Sequence, residues 1–413
     1  MLDAAFQVFD RRLSQDIAAP IGVAFSGGRD SLLALQATRA WAERKGRRVI
    51  AFHVDHRLQA ASTAWSLSAR AAADHLDADF VGMSWEGDKP QTGVAAAARR
   101  ARHRLIAEAA RNAGARVVVL GHTADDRIEA GLMRSAGLRI GDLREWSPSP
   151  VWPEGRGVFC LRPLLAVRRA AIREVLASQG ETWIDDPMNE DSRSPRARVR
   201  PAAGAAPDPC GSADDGALAR LAAQARVGAG GQITIARAAL RATDQATARR
   251  LVGAACVCAG GAGGPGRSDR LEAMTVRLLG QDTVTGTLSG AKVIAAEAVL
   301  FVRDAGEAAR GGLAPLKLAP GQSGVWDGRF EVSARAEPVL ITKLAGHAGS
   351  LERAQQRQLK SLPAPVRSGL PLMLGEGAPG CPILAKEPGV EVRLLVAERF
   401  AAACGVISKE PAT

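Results

Sequence analysis

The stretch "IGVAFSGGRDSLLAL", residues Ile21–Leu35, decides the fold because it changes character in the middle. Its first five residues form an apolar run that predicts a β-strand, and a helix is predicted from Ser31 to about Lys45. Between them stand two adjacent glycines, which adopt positive φ readily and carry no Cβ, so the backbone can fold tightly against a ligand. Backbone N–H groups at the start of a helix favour an anion such as phosphate. The stretch therefore predicts a phosphate loop between a strand and a helix.

Strands and helices are predicted to alternate from this loop onward. The strands are short apolar runs and the helices are longer amphipathic ones, with turn residues between them. The further predicted elements are strand Arg48–Val54, helix Ser62–Leu76, strand Asp79–Trp85, helix Val94–Asn112, strand Arg116–Gly121, helix Ala124–Ser135, strand Phe159–Leu161 and helix Val167–Ser178. This alternation is typical of βαβ units, so we expect an α/β fold with a doubly wound parallel sheet.

The remainder of the chain differs in composition from this first part. Residues 201–216 are rich in Pro, Gly and Ala and have no periodicity, which is typical of a linker. Residues 217–310 are predicted to be mainly helical. Residues 311–413 contain shorter apolar runs with frequent Gly and Pro, which predict a small α+β or β-rich domain. Residues 1–200 would then form the catalytic domain.

The composition indicates a soluble protein that attracts polyanions. The 413 residues carry a net charge of +11, and 46% of them are hydrophobic. A strongly basic chain favours nucleic acid as a partner, although genomic base composition is an alternative source of arginine. No long apolar segment predicts a membrane span, and the N-terminus lacks the pattern of a secretory signal, so we expect a cytoplasmic protein. Six scattered cysteines without a C-x-x-C motif indicate reduced thiols.

Two polar segments follow predicted strands, and ligands bind at the carboxyl edge of a parallel sheet. The first is "FHVDHRLQ", Phe52–Gln59, whose histidines, His53 and His56, are better interpreted as packing or hydrogen-bonded residues than as ligands when taken alone. The second is "GHTADDRIEA", Gly121–Ala130. It contains an imidazole and two carboxylates at i, i+4 and i+7, which share one face if the helix begins early enough. These three residues are His122, Asp126 and Glu129.

The phosphate loop resembles that of one nucleotide-binding superfamily. It has neither the G-x-x-x-x-G-K-[ST] pattern nor the G-x-G-x-x-G pattern of two other nucleotide loops. Its residues "SGGRDS" resemble the S-G-G-x-D-S pyrophosphate loop of the N-type ATP pyrophosphatases, which have an adenine nucleotide alpha hydrolase-like (PP-loop) fold. The resemblance implies that the loop binds ATP and that Asp30 holds Mg²⁺ against the phosphates. The residues implied in ATP binding are Ser26, Gly27, Gly28, Arg29, Asp30 and Ser31.

Further segments over about residues 21–200 resemble the tRNA(Ile)-lysidine synthetases of this superfamily. The matching residues are Ala98, Arg99, Arg102, His122, Asp125, Asp126, Glu129, Arg162, Pro163, Asp186, Pro187, Asn189, Asp191, Arg196 and Arg200. The chain departs from the family pattern at Arg57 (usually Gly), His103 (Tyr), Thr123 (His), Ala130 (Thr) and Ala197 (Asn).

The resemblance implies a two-step ligation on the wobble cytidine, position 34, of a tRNA(Ile) with a CAU anticodon. ATP would adenylate the C2 carbonyl oxygen, and free L-lysine would then displace AMP to give lysidine, which changes codon specificity from AUG to AUA. By the resemblance, Asp126 and Glu129 hold the lysine ammonium, and Asp126 joins Asp30 in holding Mg²⁺. His122 and Arg196 would assist adenylation. Residues 217–310 would help to recognise tRNA, no membrane is involved, and a homodimer is one option for the oligomeric state.

Three alternatives stay open at this point. A tRNA thiolase of the same superfamily also adenylates a base, but it needs sulfur-carrying cysteines, and only Cys160 lies in the catalytic region. An ammonia-dependent synthetase acting on a small molecule fits poorly with the basic charge and the extra domains. A degenerate, non-catalytic RNA-binding relative is consistent with the departures at Thr123, Ala130 and Ala197.

Overall fold

The computed structural model describes residues 2–138, 141, 143–185, 195–206, 215–375 and 377–412. Tertiary contacts divide the chain into two compact units. The first consists of Met1–Ala213 together with Ile407–Thr413, and the second consists of Asp214–Val406. Residues 407–413 therefore fold with the first unit, whereas the sequence predicts them in a separate C-terminal domain.

The first unit is a six-stranded sheet with helices. Its helices are α1 (Leu2–Arg12), α2 (Arg29–Glu43), α3 (Ser62–His75), α4 (Val94–Asn112), α5 (Ala124–Ser135), α6 (Arg169–Ser178) and α7 (Pro195–Ala205). Its strands are β1 (Ile21–Ala24), β2 (Val49–Asp55), β3 (Asp79–Ser84), β4 (Val117–Val119), β5 (Trp146–Pro148) and β6 (Phe159–Leu161). The strand order is β3-β2-β1-β4-β6-β5, in which β5 alone is antiparallel to its neighbour. The predicted α/β fold with a mainly parallel sheet is confirmed.

Strand β1 lies at the centre of this sheet. Ile21 and Val23 are fully buried in it. Gly22 allows β1 to approach β2 closely, because a Cβ at this position would lie 2.6 Å from the ring of Phe52. The strand order reverses at β1, since β2 follows on one side and β4 on the other. Open α/β sheets bind ligands in the crevice at such a reversal point. The segments that follow β1 and β4 both lie at the crevice beside β1.

The second unit contains three sheets and seven α-helices among its described residues. The helices are α8 (Asp215–Ala222), α9 (Arg237–Arg241), α10 (Gln245–Ala259), α11 (Ser268–Leu279), α12 (Arg353–Ser361), α13 (Ala364–Arg367) and α14 (Val396–Ala403). The five-stranded antiparallel sheet contains β7 (Arg226–Val227), β8 (Ile233–Ala236), β9 (Val284–Leu288), β10 (Ala291–Ala295) and β11 (Ala298–Arg303). The two three-stranded sheets contain β12 (Leu316–Leu318), β13 (Ser323–Trp326), β14 (Phe330–Ala334), β15 (Val339–Lys343), β16 (Pro371–Leu374) and β17 (Val390–Leu394).

Residues 217–310 contain a five-stranded sheet that the sequence does not predict, together with helices α8 to α11. Strand β9 alternates buried and exposed residues, and β10 pairs with it in antiparallel register. The turn between them contains Ser289 and Gly290, with φ of 50° and 77°. Two successive residues with positive φ favour the right-handed twist of a two-residue β-hairpin. The hairpin turn and the alternation of buried and exposed residues favour strands here, although the surrounding residues favour helices.

The segment after Val406 is held in the first unit by a buried ion pair. The carboxylate of Glu410 accepts two hydrogen bonds from the guanidinium of Arg47, both of 2.8 Å, and both side chains are buried. Glu410 also accepts a bond from the backbone N–H of Ser14 and donates its own N–H to the carbonyl of Arg12. Because each polar atom has a partner, the cost of burying this charge is offset.

Candidate active site

The phosphate loop connects β1 to α2, as predicted. Gly27 has φ of 79°, a conformation that L side chains rarely adopt, and a Cβ there would lie 2.4 Å from Ile184. Gly28 is the N-cap of α2 and has no side chain with which to cap it. The N–H groups of the first helical turn are therefore available to an anion, in the arrangement that favours phosphate.

Two serines give the loop its shape. The hydroxyl of Ser31 donates to the carbonyl of Gly28 at 2.8 Å, so the hydroxyl of Ser26, 3.0 Å away, donates to Ser31. Ser26 Oγ also accepts from the N–H of Gly28 at 3.3 Å. Both predicted ATP-binding serines therefore use their hydroxyls within the loop itself, where they also accept the N–H groups of Ser26 and Gly28. The N–H groups of the first turn of α2 are the ones left to contact a ligand.

A glycine at the end of β4 brings the second predicted segment against this loop. A Cβ on Gly121 would lie 2.6 Å from the carbonyl oxygen of Asp30, so only glycine permits this approach of the two backbones. The next residue, His122, is therefore placed beside the start of α2. Helix α5 begins at Ala124, as predicted, with Thr123 as its N-cap, so His122 precedes the helix. The helix therefore does not begin early enough for the i, i+4, i+7 spacing to place all three residues on one helical face.

Thr123, which replaces a histidine of the family pattern, orients the carboxylate of Asp126 at the start of α5. The N–H and hydroxyl of Thr123 both donate to Oδ2 of Asp126 at 2.8 Å. The other oxygen, Oδ1, accepts from Arg169 Nη2 at 2.8 Å. Burial alone would raise the pKa of Asp126, but Arg169 and its other cationic neighbours hold that pKa below the usual value. Thr123 thus orients a carboxylate that stays ionised.

Arg169, which the sequence does not single out, connects three predicted site residues. Its guanidinium lies 3.3 Å from Asp30, 2.8 Å from Asp126 and 2.5 Å from Glu129. It lies at the first residue of α6, where the helix dipole disfavours a cation. The three carboxylates offset this unfavourable interaction with the helix dipole.

Two neighbouring aspartates take different positions. Oδ2 of Asp125 accepts the backbone N–H of Arg169 at 2.8 Å, so it anchors the start of α6. Asp126 instead faces the guanidinium of Arg169. Of this pair, Asp126 is therefore the residue that lies with Glu129 and Asp30.

Helix α7 contributes further cations to the same carboxylates. Arg196 Nε lies 3.1 Å from Oε2 of Glu129 and its Nη2 lies 3.8 Å from Asp126, while Arg200 Nε lies 3.3 Å from Oε1 of Glu129. Glu129 itself is fully buried. The predicted residues Asp30, Asp126, Glu129 and Arg196 are therefore brought together. The family matches Asp186, Pro187, Asn189 and Asp191 lie outside the described residues.

His122 accepts a hydrogen bond from a neighbouring arginine. Arg162 Nε donates to Nδ1 of His122 at 3.3 Å. Burial, followed by the charge of Arg162, lowers the pKa of His122 to about 3, so the ring is neutral at physiological pH. Helix α4 adds Arg102, whose pKa is lowered to about 10 by burial and then by Arg99 and Arg196. Several cations close together in a partly dry site attract an anionic ligand.

A cavity of about 710 Å³ lies at the carboxyl ends of β2 and β3. The Phe52–Gln59 segment, α3 and β3 line it, and it includes the ring of Phe80 and the guanidinium of Arg70. Its volume is typical of a small-molecule pocket. His53 is hydrogen-bonded through both ring nitrogens, to the Phe25 carbonyl and to Ser66, so it supports the wall of this cavity.

The fold and the site define a nucleotide-using α/β protein, and residues 5–204 match the family described as the PP-loop domain. A tRNA(Ile)-lysidine synthase of Caulobacter vibrioides is 45% identical over 419 residues, which cover 100% of both chains. One from Rhizobium meliloti is 34% identical over 347 residues, covering 77% of this chain and 74% of that protein. The chain belongs to the tRNA(Ile)-lysidine synthase family. A solved U34-tRNA thiolase from Methanococcus maripaludis aligns over 48% of this chain and 70% of its own with a TM-score of 0.40 and 14% identity, a likeness too slight to bear on function.

Proposed function

We propose that this protein is a ligase that joins L-lysine to C2 of the wobble cytidine, position 34, in the CAU anticodon of tRNA(Ile). It uses ATP, releases AMP and diphosphate, and forms lysidine, so that the tRNA reads AUA instead of AUG. The full-length relationship to lysidine synthases supports this activity. The geometric observation that carries it is the meeting of the phosphate-loop residue Asp30 with Asp126 and Glu129 around one guanidinium.

In the adenylation step the loop holds the triphosphate. The backbone N–H groups at the start of α2 and the positive end of its dipole bind the phosphates. In this proposal His122 and Arg196 stabilise the charge that develops on the transferring phosphoryl group. The C2 oxygen of cytidine attacks the α-phosphorus, and diphosphate departs with the bonding electron pair.

The residues present fit a Mg²⁺ ion. Asp30 and Asp126 each direct a carboxylate oxygen at the same guanidinium, so both can serve one cation. In the described part of the chain no cluster of three or more His, Cys, Asp or Glu side chains is arranged to hold a metal. Two carboxylates suffice, because Mg²⁺ usually takes one or two together with phosphates and water. Bound by Asp30 and Asp126, it would neutralise charge on the phosphates.

In the second step Asp126 and Glu129 hold the lysine. Their separation of one helical turn places both carboxylates toward the same cation, and ammonium–carboxylate contacts are strong, charge-assisted hydrogen bonds. Arg169 contacts both carboxylates in this structure, so the ammonium would share them with this guanidinium. The ε-amine must lose a proton before it attacks C2, after which AMP leaves with its electron pair.

The protein recognises the tRNA through its anticodon loop, with the target base unstacked. We expect this reaction to take place in the cytoplasm. Single-stranded loops are the usual targets of sequence-specific RNA recognition. The net charge of +11 supplies attraction to phosphates in both units, and residues 217–310 share in this recognition. No helix among the described residues has the length and apolar character needed to span a bilayer.

Sulfur transfer is not favoured by the cysteines. Burial raises the pKa of Cys160, so its thiol is a poor source of the nucleophilic thiolate that a thiolase requires. Cys160 is free and buried.

The test is incorporation of labelled lysine into unmodified tRNA(Ile) in the presence of ATP and Mg²⁺. Wild type is expected to incorporate label, and Asp30→Ala is expected to lose it. The matched control is Asp79→Ala, because Asp79 forms an exposed ion pair at the opposite edge of the sheet. Label that enters tRNA only from a sulfur donor would contradict the proposal, as would full activity of Asp30→Ala.

A further inference from the structure

Arg162 is itself fixed in place, which makes it a rigid partner for His122. It follows β6 directly and is 6% exposed. Its Nη1 donates to the carbonyl of Arg144 at 2.8 Å and to the hydroxyl of Ser147 at 3.0 Å. A second nitrogen, Nε, donates to Nδ1 of His122 at 3.3 Å. The imidazole therefore lies against a guanidinium that has little freedom to move.

We propose that Arg162 is a positioning residue that fixes His122 in the tautomer with its proton on Nε2. A guanidinium carries only hydrogen-bond donors, so Nδ1 must be the unprotonated acceptor. A neutral imidazole with a bare Nδ1 has its hydrogen on Nε2. Among the described residues Nε2 has no hydrogen-bond partner, so its N–H is free to donate to a ligand.

The ligand atom that this donor suits is an anionic phosphoryl oxygen, an assignment that rests on the proposed adenylation. A fixed donor needs no reorganisation when charge develops on that oxygen. His122 does not act as a general base in this assignment, because a ring whose pKa is lowered to about 3 accepts protons poorly near neutral pH. No proton moves to or from His122. The attacking C2 oxygen forms a bond to the α-phosphorus, and the bond from that phosphorus to diphosphate breaks.

The tautomer is measured directly by ¹⁵N NMR of the full-length protein with labelled histidine. The wild-type His122 signals are expected to show a protonated Nε2 and an unprotonated Nδ1 at neutral pH. Arg162→Met is expected to give a mixture of tautomers. Arg47→Met is the matched control, since it removes another buried arginine of the same unit and should leave the His122 tautomer unchanged. A wild-type ring protonated on Nδ1 would overturn the proposal.

The functional consequence is measured by a double-mutant cycle on tRNA-dependent diphosphate release. His122→Ala is expected to lower the rate about 10²–10³-fold, the usual effect of removing a donor to a developing anion. Arg162→Met is expected to lower kcat roughly tenfold or more with little change in KM for ATP, and to have no further effect in the His122→Ala background. Losses that multiply in the double variant would show that Arg162 acts independently of His122 and would overturn the proposal.

Two further outcomes keep this inference separate from the proposed function. His122→Gln, whose amide N–H reaches toward the position of Nε2, is expected to retain more activity than His122→Asn, and the reverse order would contradict the tautomer. If wild type released no diphosphate with tRNA(Ile), the proposed function would fail, while the NMR measurement would still decide the tautomer.

Discussion

Three carboxylates that would otherwise repel one another lie around the guanidinium of Arg169. Asp30 comes from the phosphate loop, whereas Asp126 and Glu129 come from α5. The motif spacing predicts the carboxylates because they fall in short, ordered patterns. It does not predict Arg169, because the partner of a buried charge depends on which helix starts are adjacent in space. Thr123 is a similar case, since its role in orienting Asp126 appears only when the backbone turn is known.

Arg169→Met should strongly reduce ligation. A charge-assisted hydrogen bond contributes about 1.5–3 kcal/mol, so losing the shared cation is expected to slow the reaction roughly ten- to a hundredfold. Lysine incorporation measures this effect at saturating ATP and lysine. Arg173→Met is the control, because Arg173 lies on the same helix with an exposed side chain. Equal rates for these two variants would show that Arg169 does not organise the site.

At the scale of elements, most of the catalytic unit follows from periodicity. The helix predicted over Val94–Asn112 has those bounds in the structure, and β1 ends one residue before the predicted Phe25. The antiparallel strand β5 is not predicted, because three residues that include a proline contain no periodic signal. The relative position of α2 and β4 also escapes the sequence, since it depends on a backbone contact at Gly121.

Gly121→Ala should separate these two elements. The added Cβ would meet the backbone of Asp30, which cannot move aside as a flexible side chain can. A displacement of about 1 Å at a catalytic site costs on the order of a hundredfold in rate. We expect that loss in diphosphate release, together with weaker ATP binding by calorimetry.

Gly131→Ala is the matched control for this substitution. Gly131 lies inside α5, and the nearest atom to its added Cβ is the end of the Arg134 side chain at 3.9 Å. Alanine in a helix interior is favoured over glycine by roughly 0.5–1 kcal/mol. This variant should therefore keep its activity and melt at a slightly higher temperature; a Gly121→Ala enzyme with the same behaviour would refute the close-contact argument.

At the scale of the whole molecule, the positive charge should govern tRNA affinity. Each phosphate neutralised by Lys or Arg releases counterions, so the association constant falls as salt rises. With a net charge of +11, we expect at least about tenfold weaker tRNA binding between low and physiological salt, measured by filter binding. A salt-independent affinity would contradict binding through the phosphate backbone.

Loss of the buried Glu410 carboxylate should destabilise the first unit. Glu410→Ala leaves Arg47 buried without its counter-charge, which typically costs about 3–5 kcal/mol. Urea denaturation measures the free energy of unfolding. Glu86→Ala, which removes an exposed pair with Arg57, is the control and should cost about 0–1 kcal/mol. The double variant Arg47→Met, Glu410→Leu should recover much of the lost free energy of unfolding. Equal losses for Glu410→Ala and Glu86→Ala would contradict a stabilising role of the buried pair.

The Arg47–Glu410 pair also has a consequence for biosynthesis. Its two members are separated by 363 positions, and the entire second unit is translated between them. The nucleotide-binding sheet emerges early from the ribosome but lacks its last buried counter-ion until the final residues of the segment appear. During that interval the nascent first unit carries an uncompensated internal guanidinium, so it should acquire protease resistance only after Glu410 has been translated.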